Sequence, residues 1–439
     1  MLTAFRNALV IPDLRAKLLI TIGLLTVYRL LSFIPTPGID VSLLRAQQFG
    51  QGDIFTMLNF VSGGNFEVFS IAALGVIPYI TSSIIMQLLQ STYEPLQKLA
   101  REGEEGRKRI TQITRYGALG LAAVQALFLA IALLGNSGAL KVGWTNGPFF
   151  WFVVVVTQVA GSALVMWLGE KITEFGLGNG ISLIIYAGIV AMFPGAFAQQ
   201  FALISQGEGN LFGLIFFLGL LIVAIAGMVM VQQAERRIPV QYARKVVGRK
   251  VMGGQSTYIP LRLNSAGVIP ISFAVSILIL PATLIGAFPE IGWLQVVGNW
   301  FNSARWEGLI TSTLLIVGFT YFYTQISFDP RRISENLREY GGFVPGVRPG
   351  QPTTDYLSRI AGRITLWGAL FLGTVNALPQ VLSWITGTEQ LSFAFSGTSL
   401  LIMVGVSLDT LRQLESQLMM RHYEGFVSKG RIRGRGRRF

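Results

Sequence analysis

The chain of 439 residues has no cysteine and a single histidine, His422. Disulfides are therefore excluded, and one imidazole cannot build a histidine-rich metal site. Only 13% of the residues are charged, where a soluble domain carries about 25%, so the polar surface needed to face water is missing. There is no phosphate-binding loop: Gly103-Glu-Glu-Gly106 and Gly248–Gly254 both lack the Gly-Lys-[Ser/Thr] ending. No paired acids stand in the apolar segments, so nothing supports nucleophilic or acid–base catalysis, and neither metal nor cofactor is expected. A charge at a bilayer centre costs about 2.5–3.5 kcal/mol on insertion scales, and those kept there mark ion or proton paths. The absence of a mid-segment Asp or Glu argues against a proton-coupled transporter and weakens a Na⁺-coupled one.

What remains is apolar and basic: 51% hydrophobic residues and a net charge of +13, with mean hydropathy +0.55. Ten stretches are apolar enough to cross a membrane. They are Leu18–Ile34, Phe69–Leu89, Ile113–Leu134, Phe149–Leu168, Ile181–Phe197, Leu211–Val231, Val268–Phe288, Leu309–Phe328, Ile360–Leu378 and Thr398–Leu414. The first has no small-residue cleavage site and reads as a retained span. Lys and Arg crowd alternate gaps: Lys98 to Arg109, Arg236 to Arg262 and Arg331 to Arg363 on one side, but only Arg45, Lys141 and Arg305 on the other. Basic residues mark the cytoplasmic face, so the alternation predicts ten spans with both termini in the cytoplasm. Arg29 stands inside the first segment, near its outer end, where the side chain can snorkel to the interface.

Two tetrapeptide-scale matches recur five spans apart. Gly75-Val76-Ile77-Pro78 returns as Gly267-Val268-Ile269-Pro270, and Gly180-Ile-Ser-Leu-Ile-Ile185 resembles Gly397-Thr-Ser-Leu-Leu-Ile402. Five is odd, so the halves must lie upside down relative to each other, which places a pathway at their interface. The matched segments carry Val76, Ile80, Ile181, Ile185, Ile271 and Ile402. Converging on the pseudo-two-fold axis, these would form a narrow apolar ring that excludes ions by dewetting and holds no particular solute. Ile54–Phe66 is too short to span at about 1.5 Å per residue and ends in Gly63-Gly64. It reads either as a half-buried loop helix or as a re-entrant element surrounded by protein.

Two basic loops exceed what topology requires. Residues 235–262 carry Arg244, Lys245, Arg249 and Lys250, and residues 329–359 carry Arg348 between Pro345-Gly346 and Pro349-Gly350. Pro and Gly on both sides stiffen that tip around one exposed cation. The loops read as docking surfaces, with cations spaced for phosphate contacts such as those of ribosomal RNA. The tail, Lys429–Phe439, alternates Arg with Gly and is expected to be disordered, held near anionic lipid.

Several blocks resemble the SecY family of protein-translocation channels: Phe33-Ile-Pro-Thr-Pro-Gly-Ile-Asp40, Gly103-Glu-Glu-Gly-Arg107, Gly169-Glu-Lys-Ile-Thr-Glu174, Gly178-Asn-Gly-Ile-Ser182, Asn264-Ser-Ala-Gly-Val-Ile-Pro270 and Phe343-Val-Pro-Gly-Val-Arg-Pro-Gly350. They run from the first span to the basic loops, in family order. The resemblance implies an all-α polytopic protein of ten helices, two inverted five-helix halves forming a clamshell around an hourglass pore. Its units would be residues 1–200, 201–415 and a basic tail, 416–439. It implies a plug within 54–66, formed by Met57, Leu58, Asn59, Phe60, Val61, Ser62, Gly63, Gly64, Asn65 and Phe66. It implies a pore ring of Val76, Ile80, Ile181, Ile185, Ser272 and Ile402. Ser272 departs from the usual Ile, so either Ile271 turns inward or the seal leans on the plug. A lateral gate would open between spans two and seven, lined by Thr81, Gln87 and Asn264. Arg244, Lys245, Arg249, Lys250 and Arg348 would dock the SecA ATPase or a ribosome. SecE and SecG would be membrane partners, SecDF and YidC further associates, and signal peptides the gate's ligands. The rival readings are a solute transporter of five-plus-five inverted repeats and a non-conducting assembly scaffold.

Overall fold

A computed structural model describes residues 11–46, 59, 62–134, 140–141, 143–207, 210–242, 245–247, 250–252, 256–264, 267, 269–287, 292, 300, 305–386 and 395–429. Each of the ten apolar segments falls on a helix. In chain order these are α1 (Pro12–Leu31), then, after the short α2 (Val41–Ala46), α3 (Ile77–Thr92) and the surface helix α4 (Glu94–Arg101). They continue as α5 (Glu104–Leu134), α6 (Pro148–Phe175), α7 (Gly180–Ser205), α8 (Leu211–Gln233), α9 (Ile269–Ala287), α10 (Trp306–Ser327), the surface helix α11 (Pro330–Glu339), α12 (Gln351–Thr386) and α13 (Gly397–Lys429).

Six of these, α5, α6, α7, α8, α10 and α12, lie in stretches long and apolar enough to cross a membrane. Helix α1 carries Asp13, Arg15, Lys17 and Arg29, and α3 has only 16 residues, for a reason given by its start. Span two was expected to begin at Phe69, but residues 71–76 form turns and the helix starts at Ile77. Phe69 itself has φ +45° and is wholly buried.

The two halves repeat one packing plan. In the first, α1 packs on α6 and α7, α3 on α5, α5 on α6, and α6 on α7. In the second, α8 packs on α12 and α13, α9 on α10, α10 on α12, and α12 on α13. Those are the same five neighbour relations shifted by five spans. Contacts of α3 with α9 and of α7 with α13 then join the halves across the pseudo-axis.

The sequence repeat has a local cause. Gly75 (φ +52°) and Gly267 (φ +63°) each make the left-handed turn that starts α3 or α9 beside a proline. Gly180 and Gly397 each open a helix against the backbone of the preceding span, at Gly169 and at Val375–Asn376, where any Cβ would collide.

Between lipid-facing helices no hydrophobic drive operates, so close approach of small side chains does the packing. On α5, Ala118, Ala122, Ala126 and Ala130 recur every fourth residue and are all buried. Helix α8 turns Phe212, Ile215, Ile222, Val223 and Met230 outward, as expected of a surface that meets acyl chains.

The basic loops are not two separate tips. β1 (Glu235–Tyr242) pairs antiparallel with β4 (Ser256–Arg262) and with β5 (Gly342–Phe343), giving the order β4-β1-β5; β2 (Lys245–Val247) and β3 (Lys250–Met252) form a second hairpin. Ile238 and Val240 alternate inward from β1 and pack with Leu261, Leu337, Val344, Leu357 and Ile360. An all-α reading missed this small sheet because the charges of Glu235–Arg237 mask a period-two pattern only three residues long.

Helix α7 continues to Ser205 and α8 begins at Leu211. Helix α13 runs on to Lys429, with Leu414 and Leu418 packed against Leu14 and Leu177. Residues 430–439 lie outside the described residues.

Candidate functional site

At the junction of the halves, a cavity of about 40 Å³ is lined by Val76 and Ile80 of span two, Ile184 and Ile185 of α7, Ser272 and Ser276 of α9, and Ile402 of α13. Leu74, Gly75 and Ile77 complete it, with Tyr28 from α1 and Ser62 from the predicted plug. Five helices from both halves thus meet around a space with room for roughly three waters. Val76, Ile402, Ile184, Tyr28 and Val406 are buried in one apolar cluster, with Ile80, Ile181 and Ile185 packed against it.

Two of the predicted ring residues differ in position. Ile271 does not turn inward: it is buried in the main core, while Ser272 faces the cavity. A helix rotates 100° per residue, so Ile271 and Ser272 point in different directions. Ile181 stays in the apolar cluster, while Ile184 of the same helix lines the cavity.

On the side that carries the sheet, a larger cavity of about 500 Å³ is polar. Asn179, Ser182, Gln232, Arg262, Asn264, Asp409, Arg412 and Gln413 line it, and Val406 joins it to the apolar cluster. Asn179 caps α7, accepting from the amides of Ile181 and Ser182. Gln413 Oε1 accepts from the Gly178 amide at 3.0 Å, and Arg412 Nη2 donates to the Gln232 carbonyl at 3.2 Å. These bonds tie α13 to α7 and α8 around the rim.

Of the predicted plug, Ser62 lines the waist cavity, Gly63 and Gly64 lie against Gly188 and Met192 of α7, and Phe66 is buried in the main core. Asn59 Oδ1 accepts from the Glu67 amide at 3.0 Å, and the Asn59 carbonyl accepts from Gly64 N at 2.8 Å. Met57, Leu58, Phe60 and Val61 lie outside the described residues. Gln158 of α6, wholly buried, fastens the loop behind this segment by donating to Thr36 Oγ1 and to the Ser70 carbonyl.

Helices α3 and α9 pack together, as a gate between them requires, and each predicted gate residue has its own local partner. Thr81 is buried and donates to Ile77 O; Gln87 reaches Ser83 at 3.5 Å; Asn264 lines the polar cavity, donating to Gly267 O at 3.0 Å with its Oδ1 unpartnered. Spacing along one chain cannot reveal which helical faces meet.

In the basic unit, Arg348 is exposed while its backbone is fixed. Its carbonyl accepts from Thr353 Oγ1 at 2.8 Å, and Gly350 O accepts from Ser334 Oγ at 2.8 Å. Arg237 stacks on Tyr258 at 4.8 Å, and the carboxylate of Glu235 bonded to it raises its already high pKa. Lys245 and Lys250 stand on β2 and β3; Arg244 and Arg249 lie outside the described residues. Sequence reasoning missed Tyr28 and Ser276, which carry no motif, and Ile184, which stands in the repeat beside the chosen Ile185; all three enter through contact.

Two inverted five-helix halves, meeting at an apolar waist beside a cavity rich in polar groups, define a membrane channel. A model of the SecY family matches residues 70–411. The protein translocase subunit SecY of Thermus thermophilus is 57% identical over the full length of both chains, and that of Thermotoga maritima is 42% identical over 98% of this chain and 99% of its own. The chain belongs to the SecY family. Its fold is similar to that solved for a protein-conducting channel, with TM-score 0.64 and 18% identity over 92% of each chain. It is also similar to Sec61 in the canine ribosome–channel complex of the endoplasmic reticulum, with TM-score 0.59 and 17% identity over 92% of each.

Proposed function

We propose that this chain is the pore-forming subunit of a protein translocase, passing unfolded polypeptide along the polar vestibule, through the apolar waist and past the displaced plug. The observation that carries the reading is the cavity shared by Val76, Ile80, Ile185, Ser272 and Ile402 with Ser62 at its far wall. Aliphatic walls wet poorly and bind no particular side chain, which suits a substrate of every composition. With about 40 Å³ at the waist, nothing the size of a peptide passes until the halves part.

The seam between α3 and α9 is the lateral gate. A signal peptide brings about 7–15 apolar residues and a nascent span about 20; these lower their free energy by leaving for lipid, whereas a hydrophilic segment does not. The pore is passive, so work comes from outside, from the SecA ATPase or a ribosome docked on the basic unit at Lys245, Lys250 and Arg348 and on the neighbouring Arg244 and Arg249. SecE and SecG are the membrane partners, with SecDF and YidC as further associates. The protein sits in the cell membrane with both termini cytoplasmic, its basic face against anionic lipid. The functional units are the two halves and the basic extension beyond residue 415.

With no native cysteine, cysteines introduced at Ile80 and Ile185 are the only thiols present. An arrested export substrate should cross-link to both. Absence of a cross-link at either position, with export intact, overturns the pathway.

A further inference from the structure

Arg29 sits half-buried in the last turn of α1, near the outer end of the apolar segment, and the pore gives it no task. Its Nη1 donates to the carbonyl of Gly63 at 3.0 Å. Beside it, the buried Tyr28 hydroxyl lies 3.5 Å from the Ser62 carbonyl and accepts from Asn65 Nδ2 at 3.4 Å. Asn65 is wholly buried, and the same Nδ2 donates to the Ala72 carbonyl at 3.2 Å, just before α3. One amide therefore touches α1 and the approach to α3.

The third wall is α7. A Cβ on Gly63 would stand 2.6 Å from Gly188 Cα, so the two backbones touch, and Gly63 has φ +76°. Residues 62–65 are thus gripped by three spans at the point where the stopper segment ends. A charged donor on a carbonyl away from bulk water makes a stronger bond than a neutral one.

We propose that Tyr28 and Arg29 are positioning residues that latch residues 62–65, holding the waist shut from α1. The latch releases when movement of α3 breaks the bond between Asn65 and Ala72. This rests on the plugged-channel reading, so the test includes an arm for that reading alone.

The full chain with its membrane partners is reconstituted in vesicles, and resting ion leak is measured beside export of an ordinary substrate. Arg29→Met should raise the leak roughly tenfold, the effect of losing one charge-assisted bond, without slowing export. Tyr28→Phe should raise it less, Arg29→Lys should restore part of the seal, and Leu30→Ala, on the exposed side of α1, should change nothing. Native leak in Arg29→Met, equal leak in Leu30→Ala, or loss of export together with the seal each overturns the latch. Deletion of Met57–Phe66 is the separate arm. If it leaks while Arg29→Met stays tight, the latch alone fails; if it does not leak, the plugged channel fails.

Discussion

Ile185 and Ile402 stand one and a half turns into helices that each open on a glycine packed against the previous span, and both face the same cavity. The correspondence joins the sequence repeat to the waist: the glycine sets how closely the helix enters, and the entry depth sets which aliphatic reaches the axis.

That geometry makes the opening glycines sensitive. Gly397→Ala and Gly180→Ala each place a Cβ inside backbone of the neighbouring span. Each should lower stability by about 1–3 kcal/mol, the usual penalty of overpacking. Thermal unfolding of the purified complex in detergent measures it, with Gly219→Ala, where a Cβ meets nothing within 4 Å, as the neutral reference.

Ser272 is the polar member of the cavity wall. Ser272→Ile should tighten dewetting and lower the ion leak of a plug-deleted channel. Ile271→Ser, one position along, should leave that leak alone and instead reduce stability, because Ile271 belongs to the core. If the two variants exchange effects, the facing of α9 described above is wrong.

The basic unit should behave as one body. Ile238→Ala removes a buried side chain shared by β1, α11 and α12 and should cost about 2–5 kcal/mol. Limited proteolysis should then open residues 235–262 and 329–359 together. Cleavage of one loop with the other still protected would show that they are independent.

Arg348 presents a cation on a tip whose backbone is held by Thr353 and Ser334. Arg348→Glu should cut motor-driven export by about tenfold or more, since a misplaced charge across an interface costs several kcal/mol. Its stability and membrane assembly should match the unaltered protein. Normal export by this variant would remove Arg348 from the docking surface.

Ten apolar stretches, alternating cations and two repeated peptides predict a multi-span protein of two inverted halves, and the helices repeat one packing plan five spans apart, because lipid imposes length and charge rules that act on each segment alone. The glycines of Gly75–Pro78 and Gly180–Ile185 were readable for the same reason, since their backbone demands are local. Which aliphatic faces the axis was not. Ile184 supplants Ile181 in the lining, Ile271 goes to the core and Ser272 to the cavity, outcomes set by helix rotation and by what each neighbour leaves unfilled. The sheet joining two loops a hundred residues apart, and the grip of Tyr28 and Arg29 on residues 62–65, likewise exist only as contacts. Periodicity and composition describe one segment's preference for its surroundings; which segment supplies those surroundings is decided when the helices pack.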